Sequence, residues 1–342
     1  MAIRKESLPG PQIERVSPEA AIAGGEIQIR GQGLARSLPP RVRLGRVAAH
    51  IVVGSDSLVV VRVPEGATAS ELSFEDGDQS GLSWPCQIGV QVADGLHPVA
   101  NPVSDSEGNA YTTFSGSRGQ KTPVAVYRIE RDGTARPFVS DLMNATGLAL
   151  DREGLLYVSS RYDGTVYRAA PEGGLSVYVE GMGVATGIAF DAEGYLYVGD
   201  RSGTIFKISP DRQIFVFATL EPSMAAYHLA FGPEGYLYVS GPTTSSFDTV
   251  HRISPAGETE VFYCGLGRPQ GLAFDAAGNL YVAASLGGRK GIVRIGPDRA
   301  AELFLSGPGI VGLAFTPSRS VMVATTSALF RVDAGIAGRP LP

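Results

Sequence analysis

Gly187-Ile-Ala-Phe-Asp-Ala-Glu-Gly-Tyr-Leu-Tyr-Val198 recurs in the chain with few changes. It returns as Gly147-Leu-Ala-Leu-Asp-Arg-Glu-Gly-Leu-Leu-Tyr-Val158 and as Gly271-Leu-Ala-Phe-Asp-Ala-Ala-Gly-Asn-Leu-Tyr-Val282, and looser copies begin at Asn101, His228 and Gly312. In each clear copy a small apolar stretch runs into Asp-x-x-Gly, and an aromatic and β-branched stretch follows. Asp suits the entry to a tight turn and Gly supplies positive φ, so the unit is strand, hairpin, strand. The turn-opening residues Asp105, Asp151, Asp191, Gly232, Asp275 and Thr316 are separated by 46, 40, 41, 43 and 41 residues.

A third strand in every unit carries a basic residue followed by an apolar one: Tyr127-Arg-Ile, Tyr167-Arg-Ala, Phe206-Lys-Ile, His251-Arg-Ile, Val293-Arg-Ile and Phe330-Arg-Val. A further turn leads to a fourth strand such as Ile214-Phe-Val-Phe217. No segment keeps a 3.6-residue apolar period. Six four-stranded units with a period near 40 predict an all-β chain with a six-bladed β-propeller. The basic residues of the third strands are expected at the blade periphery, with their charges reaching water. The last unit supplies three strands, so Gln87–Val92 is predicted to close the ring as its fourth and to remove a bare edge.

Upstream, Glu26–Arg30, Val42–Leu44, His50–Val53 and Leu58–Val63 read as short strands punctuated by Gly and Pro, an immunoglobulin-like β-sandwich. The domains are therefore drawn at 1–86 (sandwich) and 87–342 (propeller). The 342 residues carry 44 Gly, 44% hydrophobic and 18% charged side chains, which suits folded domains with sizeable cores and excludes disorder as the dominant state. The net charge of −5, and a sandwich with nine basic and ten acidic residues, argue against nucleic acid as a partner. Arg41, Arg43 and Arg46 are expected on a solvated strand face. No apolar run is long enough to span a membrane, and the N-terminus lacks a signal-peptide pattern, so a cytoplasmic location is the default expectation. Cys86 and Cys264 are expected as reduced, packed thiols. Oligomeric state is not legible.

The module Pro11-Gln-Ile-Glu-Arg-Val-Ser-Pro18, with Gly24-Gly25, Gly31-x-Gly33, Leu44-Gly45, Ser55-Asp-Ser-Leu58 and Val63-Pro64, resembles the IPT/TIG immunoglobulin-like family. The repeat wording Gly-x-Ala-Phe-Asp-x-x-Gly-x-Leu-Tyr-Val resembles the gluconolactonase/luciferin-regenerating-enzyme propellers, with NHL-repeat propellers as cousins. That second resemblance implies a hydrolase holding a divalent cation at the top of the channel through Glu, Asn and Asp before the inner strands. The residues before the leading position here are Ala100, Thr146, Thr186, Tyr227, Gln270 and Val311, none a carboxylate. Hard cations need such oxygen ligands. No metal site and no cofactor are therefore expected, and enzyme activity is left open.

The leading Gly is replaced by Asn101 and His228 in units one and four, which face each other across a six-fold ring. Both are expected near the channel mouth, as ligand contacts or as side chains bonded to neighbouring backbone. His228 is the one candidate catalytic residue, as a general base. One face gathers Arg118, Arg161, Arg201 and Arg289 with Lys121, Arg268 and Lys290; the hairpin face gathers acids. Arginine forks suit carboxylates and phosphates. The expectation is a ligand-binding or scaffold propeller whose basic face takes a small anionic molecule, such as a sugar acid, or an acidic peptide. Its contacts would be Asn101, Arg118, Thr146, Arg161, Thr186, Arg201, Tyr227, His228, Gln270 and Arg289. A sugar-lactone hydrolase with a rearranged site around Asn101, His228 and Gln270 is the alternative.

Overall fold

The turn-opening aspartates fix the geometry of the repeat. The side-chain Oδ1 of Asp105, Asp151, Asp191 and Asp275 accepts the backbone N–H four residues on, at 2.8 Å in all four units. The Gly between them has φ of +86° (Gly108), +81° (Gly154), +86° (Gly194) and +85° (Gly278), a conformation that a residue with a Cβ adopts only under strain. The second carboxylate oxygen accepts the hydroxyl of the Tyr six residues on: Tyr111 at 3.3 Å, Tyr197 at 3.2 Å and Tyr281 at 3.2 Å. One Asp thus ties the turn to the second strand.

The same Tyr ring then packs edge-on against the Phe that ends the next unit's first strand. Centroid separations are 4.8 Å for Tyr157–Phe190, 5.0 Å for Tyr197–Phe231, 4.7 Å for Tyr238–Phe274 and 5.1 Å for Tyr281–Phe315. Edge-to-face pairs add about 0.5–1.5 kcal/mol beyond area burial. The repeated Phe-Asp and Leu-Tyr of the sequence are therefore one device, joining blade to blade. Burial, reinforced by Asp275, pushes the Tyr281 hydroxyl up to about 12, so it stays a donor. Asp275→Ala removes the acceptor for Asn279 N–H, the Asn279 amide and the Tyr281 hydroxyl. A loss of about 2 kcal/mol is expected by urea denaturation, since bonds to a charged acceptor are worth about 1.5–3 kcal/mol.

The computed structural model describes residues 11–35, 40–68, 70–76, 79–117, 119–244 and 248–340. They fall into two compact units, Met1–Val90 with Phe304–Pro308, and Gln91–Leu303 with Gly309–Pro342. The first unit has two four-stranded sheets. One runs in the order Gln12–Ser17, Glu26–Gln32, Leu58–Arg62, His50–Gly54; the other runs Val47–Ala48, Arg41–Leu44, Glu71–Asp76, Gln79–Pro85. Ile27, Ile29, Val59, Val61, Val42, Leu44, Leu72 and Phe74 fill its core. The period-2 alternation along Glu26–Gln32 places Ile27 and Ile29 on the buried side.

The second unit is a ring of six blades; five are four-stranded sheets, and the strands of the fifth blade belong to a six-stranded sheet. The inner strands are Val103–Ser104, Ala145–Leu150, Ala185–Phe190, His228–Phe231, Leu272–Phe274 and Ile310–Phe315. Blades one to five take their outer strands from the same repeat. The sixth, with Val321–Thr325 and Leu329–Val332, is completed by Val90–Ala93 from the start of the ring. The stretch predicted to close the ring divides in two: Gln87–Ile88 pairs instead with Ala20–Ala21 in the first unit. Gly89 lies between the two short strands and breaks the run.

Four of the six third-strand cations form ion pairs. Arg128 pairs with Glu107 at 3.6 Å, Arg331 with Asp333 at 3.8 Å, Arg252 with Glu260 and Arg294 with Glu302. The expectation of two packed thiols is corrected for one of them. Cys86 is buried, and burial raises its thiol to about 12, but Cys264 lies exposed on the outer strand Thr259–Leu266.

Candidate functional site

At the leading position of the inner strands, four glycines make room for two side chains. A Cβ on Gly147 would lie 2.4 Å from the Thr186 carbonyl oxygen, and one on Gly187 would lie 2.4 Å from that of Tyr227. A Cβ on Gly271 would lie 2.0 Å from the Asn101 Oδ1, and one on Gly312 would lie 2.6 Å from the Asn101 Cα. The strands approach too closely for anything larger in blades two, three, five and six. Asn101 and His228 occupy the freed space from opposite blades.

The two residues behave differently. Asn101 Nδ2 donates to the Leu272 carbonyl at 2.7 Å, and its Oδ1 accepts the Leu313 N–H at 3.1 Å. Its side chain is a clip from blade one onto blades five and six. His228 is 3% exposed, and its imidazole has no hydrogen-bond partner among the described residues. Burial alone lowers its pKa to about 4, so the ring is neutral at pH 7. His228 is buried and Asn101 half-buried, and both line one cavity.

A cavity of about 740 Å³ runs along the inner strands, from their leading residues to the first hairpin turns. Gly147, Gly187, Asn101 and His228 line it at the leading positions. Its wall is a ring of alanines (Ala149, Ala189, Ala230, Ala273 and Ala314) followed by Phe190, Phe231, Phe274 and Phe315. Between blades three and four it widens against Tyr195, Tyr197, Phe217 and Lys207. The Lys207 ammonium sits 4.2 Å from the Tyr195 ring centroid, a cation–π contact, and has no carboxylate partner among the described residues. Exposed Glu193, Glu234, Arg339 and Pro340 border the mouth. The C-terminal stretch brings Arg339 there: Ala276 N–H bonds the Ala337 carbonyl at 2.8 Å and Arg339 N–H bonds that of Phe274 at 3.0 Å.

Of the residues singled out from sequence, the cavity brings together only Asn101 and His228. Thr146 Oγ1 donates to the Asn144 carbonyl at 2.9 Å. Thr186 Oγ1 donates to that of Gly199 at 2.7 Å and accepts the Tyr227 N–H at 3.2 Å. The Tyr227 hydroxyl donates to the Glu221 carbonyl, and the Gln270 carbonyl accepts the Ser240 hydroxyl. Arg161 Nη2 donates to the Gly116 carbonyl at 3.2 Å, and Arg201 Nε to that of Ser223 at 3.2 Å. Lys121 pairs with Asp141 at 2.6 Å. Arg289 is half-buried at the start of the third strand of blade five, and Arg118 lies outside the described residues.

Sequence reasoning missed Lys207, Phe217, Arg339 and the alanine ring. The Ala in the third position of five repeats was the available signal.

The cation expected from the second resemblance does not fit the corresponding residues. The hydroxyls of Thr146, Thr186 and Tyr227 are donors to backbone carbonyls, and Ala100 and Val311 offer no side-chain oxygen. Among the described residues no three His, Cys, Asp or Glu side chains group as a metal site, and no helix is long and apolar enough to cross a membrane.

Residues 11–115 match the IPT/TIG domain. No curated protein matches the chain. Among solved structures, a provisionally named gluconolactonase is 20% identical with a TM-score of 0.61, covering 74% of this chain and 94% of its own. A gluconolactonase from Xanthomonas campestris is 16% identical with a TM-score of 0.59, covering 75% and 90%. An auxiliary nutrient binding protein from Bacteroides thetaiotaomicron is 11% identical with a TM-score of 0.58, covering 95% and 97%. At these identities the likeness is one of fold alone, a β-propeller.

Proposed function

We propose that this protein binds a small organic molecule in the central cavity of its propeller. The observation that carries this is the cavity of about 740 Å³, walled by alanine and phenylalanine from five blades and open at the hairpin face. Small-molecule sites are concave, mostly apolar, and typically about 300–1,000 Å³ in volume. Similar folds named for gluconolactonase activity and for nutrient binding support the same class of ligand. The basic rim supports an anionic sugar acid or acidic peptide less well, because Arg161, Arg201 and Lys121 are already engaged. The sugar-lactone hydrolase reading has the fold behind it but, among the described residues, no group of three His, Cys, Asp or Glu side chains to hold a cation; an assay with aldonolactones tests it directly.

The test is a thermal-shift and calorimetry screen of sugar acids, lactones, aromatic acids and alcohols, and divalent metals. A ligand at 100 times its Kd stabilises the native state by about 2.7 kcal/mol. Ala273→Phe projects a ring into the cavity and is expected to abolish the shift for any hit while leaving the unliganded Tm within a few degrees. A hit whose shift persists in Ala273→Phe binds elsewhere and overturns the proposal.

A further inference from the structure

Asn101 and His228 stand at equivalent positions of opposite blades and line one cavity. The Asn101 amide is held at both ends, by the Leu272 carbonyl and the Leu313 N–H. His228 is 3% exposed, lines the cavity, and its imidazole bonds to nothing among the described residues. Neither ring nitrogen is among the fully buried atoms without a partner, so what the ring still exposes opens to the cavity, where water or a ligand must satisfy it. Packing against neighbours does not explain its presence, because glycine fills this position in four of the six blades.

We propose that His228 is the recognition group of the cavity, hydrogen-bonding a neutral polar head, a hydroxyl or carboxamide, of a ligand whose apolar body lies along the alanine ring. This rests on the cavity being the binding site. Neutral imidazole offers one donor and one acceptor, which matches a hydroxyl or an amide. The strands packed against His228–Phe231 bring no cation to it. Ala185–Phe190 and Leu272–Phe274 carry no titratable side chain, Leu237–Ser240 carries Tyr238, and Leu196–Asp200 carries Tyr197 and Asp200. A carboxylate or phosphate head at this depth would be desolvated without a countercharge. Lys207 and Arg339 lie on the side wall and at the mouth, where a charged substituent would stay.

Three probes with one body separate the cases: 2-naphthol, naphthalene and 2-naphthoate, titrated by fluorescence at pH 7.5. The expected result is that 2-naphthol binds at least ten-fold tighter than either of the others. His228→Leu is expected to remove that preference and leave naphthalene affinity within two-fold. His228→Gln, which keeps a donor and an acceptor, is expected to restore part of it. A preference that survives His228→Leu, or 2-naphthoate as the tightest probe, overturns the proposal while the cavity reading stands. If no probe binds, or naphthalene affinity is unchanged by Ala273→Phe, the cavity reading fails and takes this proposal with it. Should His228→Leu not fold, the His228→Gln ratio and the naphthoate comparison still decide.

Discussion

Asn101→Leu is expected to destabilise the protein by about 4 kcal/mol, read as a fall in the urea midpoint at constant slope. The substitution keeps a side chain of similar size but leaves the Leu272 carbonyl and the Leu313 N–H without their shared partner. Each stranded buried backbone group costs about 1–3 kcal/mol. The loss exceeds that of a typical surface change because one amide serves three blades. Gly271 and Gly312 have no Cβ to fill the space the amide leaves, so little compensating contact forms. Asn101→Asp should lie between wild type and Leu, since it keeps the acceptor for Leu313 and loses the donor to Leu272. A loss under 1 kcal/mol for Asn101→Leu would mean that ring closure does not depend on this clip.

Between pH 7 and pH 4 the wild-type protein is expected to lose about 3 kcal/mol through His228 alone. Its pKa is 6.5 in the unfolded chain and about 4 in the native state, because burial disfavours the imidazolium. In that window the unfolded chain binds a proton that the native state refuses, so stability falls as pH falls, at about 1.4 kcal/mol per unit of pKa difference. The contribution is intact above pH 6.5 and fully lost below pH 4. His251, also lowered by burial, acts in the same direction. His228→Leu should flatten the stability profile over this range and, at pH 7, stabilise the protein slightly by removing an unpartnered polar group. An unchanged pH profile in His228→Leu would show that the imidazole is hydrated or already protonated in the native state.

The architecture was legible because the repeat repeats its physics. Asp-x-x-Gly marks a turn whose carboxylate and positive-φ glycine are both required, and Leu-Tyr-Val marks the strand whose Tyr that carboxylate holds. The cavity was less legible. The residues before the leading position turn away into bonds such as Thr186 to Gly199 and Tyr227 to Glu221, which have no local signature. A run of basic loop residues suggested a charged face, but Arg161 and Arg201 spend N–H groups on nearby carbonyls, a commitment that only three-dimensional proximity reveals. Lys207 was read with five peripheral cations; its exception arises because its carboxylate partner is missing and three aromatic rings surround it. The exchange of Gly for Asn and His was visible, while the opposite fates of the two side chains were not.

The strand Val90–Ala93 finishes a sheet whose other members end at Val332. During translation it leaves the ribosome early and waits while about 240 further residues are made, roughly 12–50 s at about 5–20 residues per second. Throughout that delay the nascent chain holds an open arc of blades with two unpaired margins, a template for pairing with another polypeptide. Cells making this protein would therefore need to shield those margins until Leu329–Val332 is made, and slow elongation should raise aggregation more sharply than it does for chains folding from local contacts.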